Sequence, residues 1–370
     1  MSKIFVEVST LTLDKYTGIS TYLYNLLKNI DADERKNFTL LTPFDKKAPD
    51  FDGTYNSINL GIKRRFGSVK WLYFGGLKIN EYSPDVFWQP SFTLPKMISS
   101  KVKTLVTIHD LTPFYVKQDS PFTSIRQTLF RQTLFRTFLY LPSIKYSLKR
   151  SNIIITISKS VAQEIENAFP FTANKIEIVT PAYDKNLFHN ILDDHSIERF
   201  LNDHQIKNKF VLAMNMEHLR KNLDLLVDAF ENVKSDGILC VGGLLEDSQI
   251  TFAKQKLGDR FKYLGYLKTE ELPLAYSAAS ALIAPSRAEG FDMPPLEARA
   301  CGTMVIASDI PVHREVLENE AEYFDSDDDK KLSHLIDEVL RSEKMFIESK
   351  IINKYDWKQS TNKMIEILKG

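Results

Sequence analysis

Cysteine is scarce: Cys240 and Cys301 are the only two in 370 residues, too few for a disulfide scaffold. Each lies inside an apolar stretch, where a buried free thiol is the ordinary outcome. No apolar run is long enough to span a bilayer, so no transmembrane helix is expected. The chain enters a strand pattern at once, Ile4-Phe5-Val6-Glu7-Val8, without the features of a secretory leader. The expected location is therefore the cytoplasm. No Gly-x-Gly-x-x-Gly follows the first strand, which argues against a dinucleotide-dependent dehydrogenase. No long unit repeats, which excludes a solenoid. Net charge is also absent, with 48 Lys and Arg against 48 Asp and Glu.

That balance conceals an asymmetry. Residues 1–180 carry 24 Lys and Arg against 15 Asp and Glu, and the remainder carries the opposite excess. Two units with different partners are implied, the basic one suited to an anionic acceptor or membrane surface. No recognition motif supports nucleic-acid binding. The length itself points to two domains.

Short β-rich runs alternate with helical patterns along the whole chain. Strands are expected at 4–8, 39–42, 86–89, 104–108, 153–157 and 176–179, then at 210–214, 237–241, 261–264, 281–284 and 304–307. Helical patterns occupy 20–30, 122–149, 160–168, 222–233, 269–279, 294–301 and 311–316, with a last helix near 355–370. Such interleaving implies parallel sheets covered by helices on both faces. The expected domains are 1–181 and 209–354, joined by a polar linker at 182–208.

The chemistry concentrates in Ala284-Pro-Ser-Arg-Ala-Glu-Gly-Phe-Asp-Met-Pro-Pro-Leu-Glu297, which reads as strand, loop and helix. A helix N-terminus with its dipole suits phosphate or sugar hydroxyls, and Gly290 permits close backbone approach. Glu289 in the loop and Glu297 in the helix face different parts of an extended ligand. Arg220-Lys221 stands at the start of the helix expected from 222. His109 and Asp110 follow a strand, where ligands bind in open α/β sheets.

The order of these segments resembles glycosyltransferase family 4, retaining enzymes of the GT-B fold, over nearly the whole chain and most strongly from Phe210 to Asp325. Glu289 and Glu297 match the family's Glu-x7-Glu motif. The resemblance implies two Rossmann-like domains facing across a cleft, with the C-terminal helix returning to the first. It makes His109 and Glu289 catalytic, the histidine near the reacting sugar carbon. The implied donor set is Gly18, Ser158, Arg220, Lys221, Leu267, Gly290, Phe291, Asp292, Met293 and Glu297, where Leu267 reads the base through its backbone and Glu297 holds the ribose. Trp88 and Asp110 are candidates for the acceptor. Asp292 stands where the family often has glycine and either selects donor hydroxyls or caps the helix.

The resemblance further implies front-face transfer of a hexose from a nucleotide sugar to a glycan or lipid-linked saccharide. No cofactor and no metal are expected, since cationic side chains stand at the diphosphate. GDP-mannose is the first expected donor, by likeness to bacterial polysaccharide mannosyltransferases, ahead of UDP-hexoses and dTDP-rhamnose. The alternatives are a GT-B phosphorylase, an epimerase or a non-catalytic nucleotide-sugar-binding protein. Between Pro121 and Gln163 there is no carboxylate, while arginines and lysines alternate with aromatics. The helix expected at 122–149 is thus a candidate for contact with an anionic membrane surface, on the inner face of the cytoplasmic membrane.

Overall fold

A computed structural model describes residues 3–12, 17–63, 67–111, 140–191, 193–343 and 346–370. These form two compact units. One runs to Ala182 and takes in Asp356–Gly370, and the other is Tyr183–Tyr355.

The first unit is built on seven strands: β1 Ile4–Glu7, β2 Phe38–Phe44, β3 Asn56–Ile62, β4 Val86–Gln89, β5 Lys103–Ile108, β6 Ile153–Thr156 and β7 Ile176–Ile178. They pair in parallel in the order β3-β2-β1-β4-β5-β6-β7. Phe5, Phe87, Val106 and Ile154 lie buried between the helices that cover this sheet. β1 and β4 are buried residue after residue, as a parallel sheet covered on both faces requires. Strand β3 went unread in the sequence because it is a half-exposed edge broken by Gly61.

The second unit holds six parallel strands: β8 Phe210–Met214, β9 Ile238–Gly242, β10 Phe261–Gly265, β11 Ala281–Ala284, β12 Met304–Ser308 and β13 Glu322–Phe324. Their order is β10-β9-β8-β11-β12-β13. Strand order therefore reverses between β1 and β4 in one sheet and between β8 and β11 in the other. At such a point neighbouring crossovers lie on opposite faces and leave a crevice at the carboxyl ends of the strands.

Residues 182–208, expected as a linker, instead carry the helix Asp194–Asp203, which packs on the helix Leu272–Ala278 within the second unit. Phe200 is its single buried side chain, so its apolar stripe was too narrow to read. The last helix, Trp357–Lys369, packs on the helix Gly18–Lys28. Trp357 approaches Tyr22, and Ser360 and Thr361 donate to the carbonyl oxygens of Thr180 and Leu26. Of the helix expected at 122–149, the structure describes Leu141–Arg150, with Pro142 in the first turn of that span. Residues 122–139, with Arg126, Arg131 and Arg136, lie outside the described residues. No described helix is long and apolar enough to cross a membrane.

Candidate functional site

In the second unit, two loops meet at the reversal point of the sheet. After β8 the chain makes one 3-10 turn, Leu219–Lys221, and Asn222 then adopts a left-handed backbone (φ 64°) before the helix Leu223–Glu231. The basic pair thus precedes the helix instead of opening it. Asn222 Nδ2 donates to the carbonyl oxygens of Pro285 (3.1 Å) and Ser326 (2.8 Å), tying this turn to the loop after β11.

That loop supplies the carboxylates. Arg220 donates to Glu289 Oε2 and to the Ala288 carbonyl oxygen. Lys221 Nζ lies 2.9 Å from Glu289 Oε1 and 2.8 Å from Asp292 Oδ1. Ser286 Oγ donates to Glu289 (2.9 Å), which fixes its carboxylate further. Burial opposes charge on both Lys221 and Asp292. Their mutual attraction prevails, raising the lysine pKa and, with help from His313, holding the Asp292 carboxyl well below its ordinary range.

Asp292 does not cap the following helix. Its backbone is left-handed (φ 66°), and its side chain bridges Lys221 and His313 Nε2, the latter at 3.1 Å. His313 Nδ1 in turn donates to the Ser308 carbonyl oxygen (2.9 Å). His313 was not legible as a site residue, because it reaches the loop from a helix 21 positions beyond Asp292. Pro294 and Pro295 occupy the first turn of the helix Met293–Ala300, and neither has an N–H to offer a ligand there. The phosphate-type character of this end therefore falls mainly to Arg220 and Lys221, with less from helix amides than the sequence implied.

Glu297 accepts from the Tyr276 hydroxyl (2.8 Å), and burial pushes its carboxyl up to about 7. Phe291 is buried edge-to-face against Tyr355, so any ligand contact from it comes through the backbone. Gly290 and Met293 lie in the same segment, buried and half-buried. Leu267 is buried just after β10, past Gly265 in a left-handed conformation (φ 71°). Gly243 is a further fixed point: with φ 88°, a Cβ there would lie 2.1 Å from Asn215 Oδ1. Several Asp-x-Asp triplets occur in the sequence, such as Asp325 and Asp327, yet among the described residues no group of three or more metal-type side chains is arranged to hold an ion.

In the first unit, His109 follows β5 and its Nε2 donates to the Pro90 carbonyl oxygen (2.8 Å). Tyr22 meets the imidazole edge-on at 5.3 Å, and Phe92 lies 6.0 Å away. Burial lowers its pKa, so the ring is neutral with Nδ1 left to accept. Asp110 is half-buried and acts electrostatically on His109 and Tyr140. Gly18 opens a helix where a Cβ would meet no atom within 4 Å, which leaves the helix N-terminus approachable. Ser158 Oγ is buried and caps its helix by accepting from the Val161 N–H (3.1 Å). Trp88 is corrected: it is fully buried, with its indole N–H on Thr107 Oγ1 (2.9 Å), and has no face for stacking on a sugar.

Two doubly wound parallel sheets, with charged loops at a reversal point, define an α/β protein of GT-B type. The chain belongs to the glycosyltransferases: "Glycosyltransferase Family 4" matches residues 16–187 and "Glycosyl transferases group 1" matches residues 195–358. It is 31% identical to the O-antigen chain mannosyltransferase RfbU of Salmonella typhimurium over 239 residues, 63% of this chain and 60% of the relative. It is 24% identical to O-antigen chain mannosyltransferase B of Escherichia coli over 249 residues, 65% and 61% of the two chains. The matches thus span about three fifths of each relative's length. Among solved structures, Anabaena HepE in complex with UDP and glucose shares the fold over 100% of both chains, with a TM-score of 0.72 at 17% identity.

Proposed function

We propose that this chain is a retaining hexosyltransferase that draws on a nucleotide sugar and glycosylates a saccharide, free or lipid-linked, in cell-surface polysaccharide synthesis. The observation that carries the reading is the meeting of Arg220 and Lys221 with Glu289 and Asp292 at the reversal point of the second sheet. In the donor complex the diphosphate competes for the two cations, and Glu289 is released toward the sugar. The cations then stabilise the departing diphosphate as charge builds on it. The acceptor oxygen bonds to the anomeric carbon on the face from which the diphosphate leaves, and its proton passes to a diphosphate oxygen. Glu289 steadies the oxocarbenium-like state, Glu297 holds the ribose, and no metal enters. The names of the bacterial relatives favour mannose as the sugar, and GDP-mannose is the donor proposed. Reaction takes place at the cytoplasmic face of the membrane.

A thermal-shift screen of GDP-mannose, UDP-hexoses and dTDP-rhamnose, followed by product analysis with saccharide acceptors, tests this. Stabilisation by one nucleotide sugar and a product with an unchanged anomeric configuration are expected. Phosphate-dependent cleavage, epimerised donor, or binding without transfer or hydrolysis would each overturn it.

A further inference from the structure

The second sheet bears its charged loops at its reversal point, and the corresponding point of the first sheet lies between β1 and β4. A cavity of about 260 Å³ opens there, lined by Glu7 and Gln89 from the ends of those two strands. Trp71, Leu72, Phe44 and Tyr140 supply its apolar lining. None of the roles assigned above uses it.

The polar lining has a definite hydrogen-bond demand. Glu7 Oε1 accepts from the Ser9 N–H (2.7 Å) and Oε2 from Gln89 Nε2 (2.9 Å), so each oxygen retains a lone pair. Gln89 Nε2 spends both hydrogens, on Glu7 and on Ser91 Oγ (3.0 Å). Gln89 Oε1 is therefore an acceptor, and it is buried with no partner. An unmet acceptor of this kind is costly to bury unless something donates to it. Adjacent acceptors select a ligand with adjacent donors, and a buried carboxylate repels anions. Flat aromatic walls suit the C–H face of a sugar ring. The volume falls just under the usual range of small-molecule pockets, about 300–1,000 Å³, and suits one ring rather than a chain.

We infer that this cavity seats one pyranose ring of the acceptor saccharide, with vicinal hydroxyls donating to Gln89 Oε1 and Glu7. The assignment rests on the transferase reading for the word acceptor, but not for the binding of a sugar. The cavity adjoins the surroundings of His109, since Phe92 packs between the imidazole and Tyr140, 6.0 and 6.3 Å from their ring centres. Glu7 and Gln89 here are specificity-determining residues.

Saturation-transfer NMR with methyl glycosides of mannose, glucose, galactose, rhamnose and N-acetylglucosamine tests the inference on the full chain. At least one glycoside is expected to bind. Gln89→Met, which keeps the shape and removes the amide, should weaken it at least tenfold. Ser68→Trp, at an exposed position on the lining, should block it without touching the core. Binding of GDP and UDP should stay within twofold in both variants. No glycoside bound by a protein that binds nucleotide, or equal binding by wild type and both variants, overturns the inference. Glycoside binding that depends on Gln89, with no nucleotide sugar consumed, keeps the cavity and sinks the transferase reading. Transfer with an acceptor KM indifferent to both substitutions does the reverse.

Discussion

Glu289 is the residue on which the most rests. Its carboxylate is held by Arg220, Lys221 and Ser286, so Glu289→Gln removes charge while keeping shape. A loss of turnover on the order of 100-fold is expected, with donor KM little changed. Steady-state kinetics on the variant would show it, and wild-type turnover would contradict the role. The cations give a second test. Arg220→Ala should weaken GDP or UDP in calorimetry and leave the nucleoside unaffected. Lys221→Ala should do the same but also lower the melting temperature, because it leaves the buried Asp292 to His313 alone and Glu289 to Arg220 and Ser286. Glu297 offers a pH test. Its folded value, about 7, lies above its ordinary 4.5, so it does not burden the fold below pH 4.5 and penalises it as pH rises through 7. Glu297→Gln should therefore raise the melting temperature at pH 8 and leave it nearly unchanged at pH 4.5. Arg220, Lys221, Glu289 and Glu297 were all legible because they fall in compact motifs. His313, Tyr276 and Gln89 were not, since their meaning depends on partners brought close by the sheet. Trp88 was misread for the same reason, a strand-end aromatic looking identical in sequence whether it faces solvent or core.

Among elements, the parallel strands were easiest to read, because their nearly unbroken apolar runs leave no competing pattern. The helix Gly67–Asn80 was missed: its neighbouring glycines and exposed Phe74 and Leu77 blur the usual stripe. Those glycines have a packing reason. A Cβ on Gly76 would lie 2.2 Å from the Lys96 carbonyl oxygen, and the Gly76 N–H donates to that same oxygen. Gly76→Ala should cost about 1–3 kcal/mol through overpacking of the first unit, measurable by denaturant unfolding. Gly18→Ala is the contrasting case. It meets no atom within 4 Å, so stability should hold or rise slightly, whereas donor affinity should fall if the helix end approaches the ligand.

At the scale of the whole molecule, chain order and spatial order differ. The first unit contains the final helix, where Trp357 meets Tyr22, Lys103 donates to the Ile367 carbonyl oxygen, and Lys369 pairs with Glu34 (2.7 Å). A growing chain therefore finishes the sheet of its first unit long before the helix that packs on Gly18–Lys28 exists. At synthesis rates of about 5–20 residues per second, the delay is roughly 10–40 seconds. For that interval Tyr22 and Leu26 lack the helix that later packs beside them, and the second unit, complete by Tyr355, is ready first. The nascent protein thus passes through a stage in which a part made early is sealed only by one made much later.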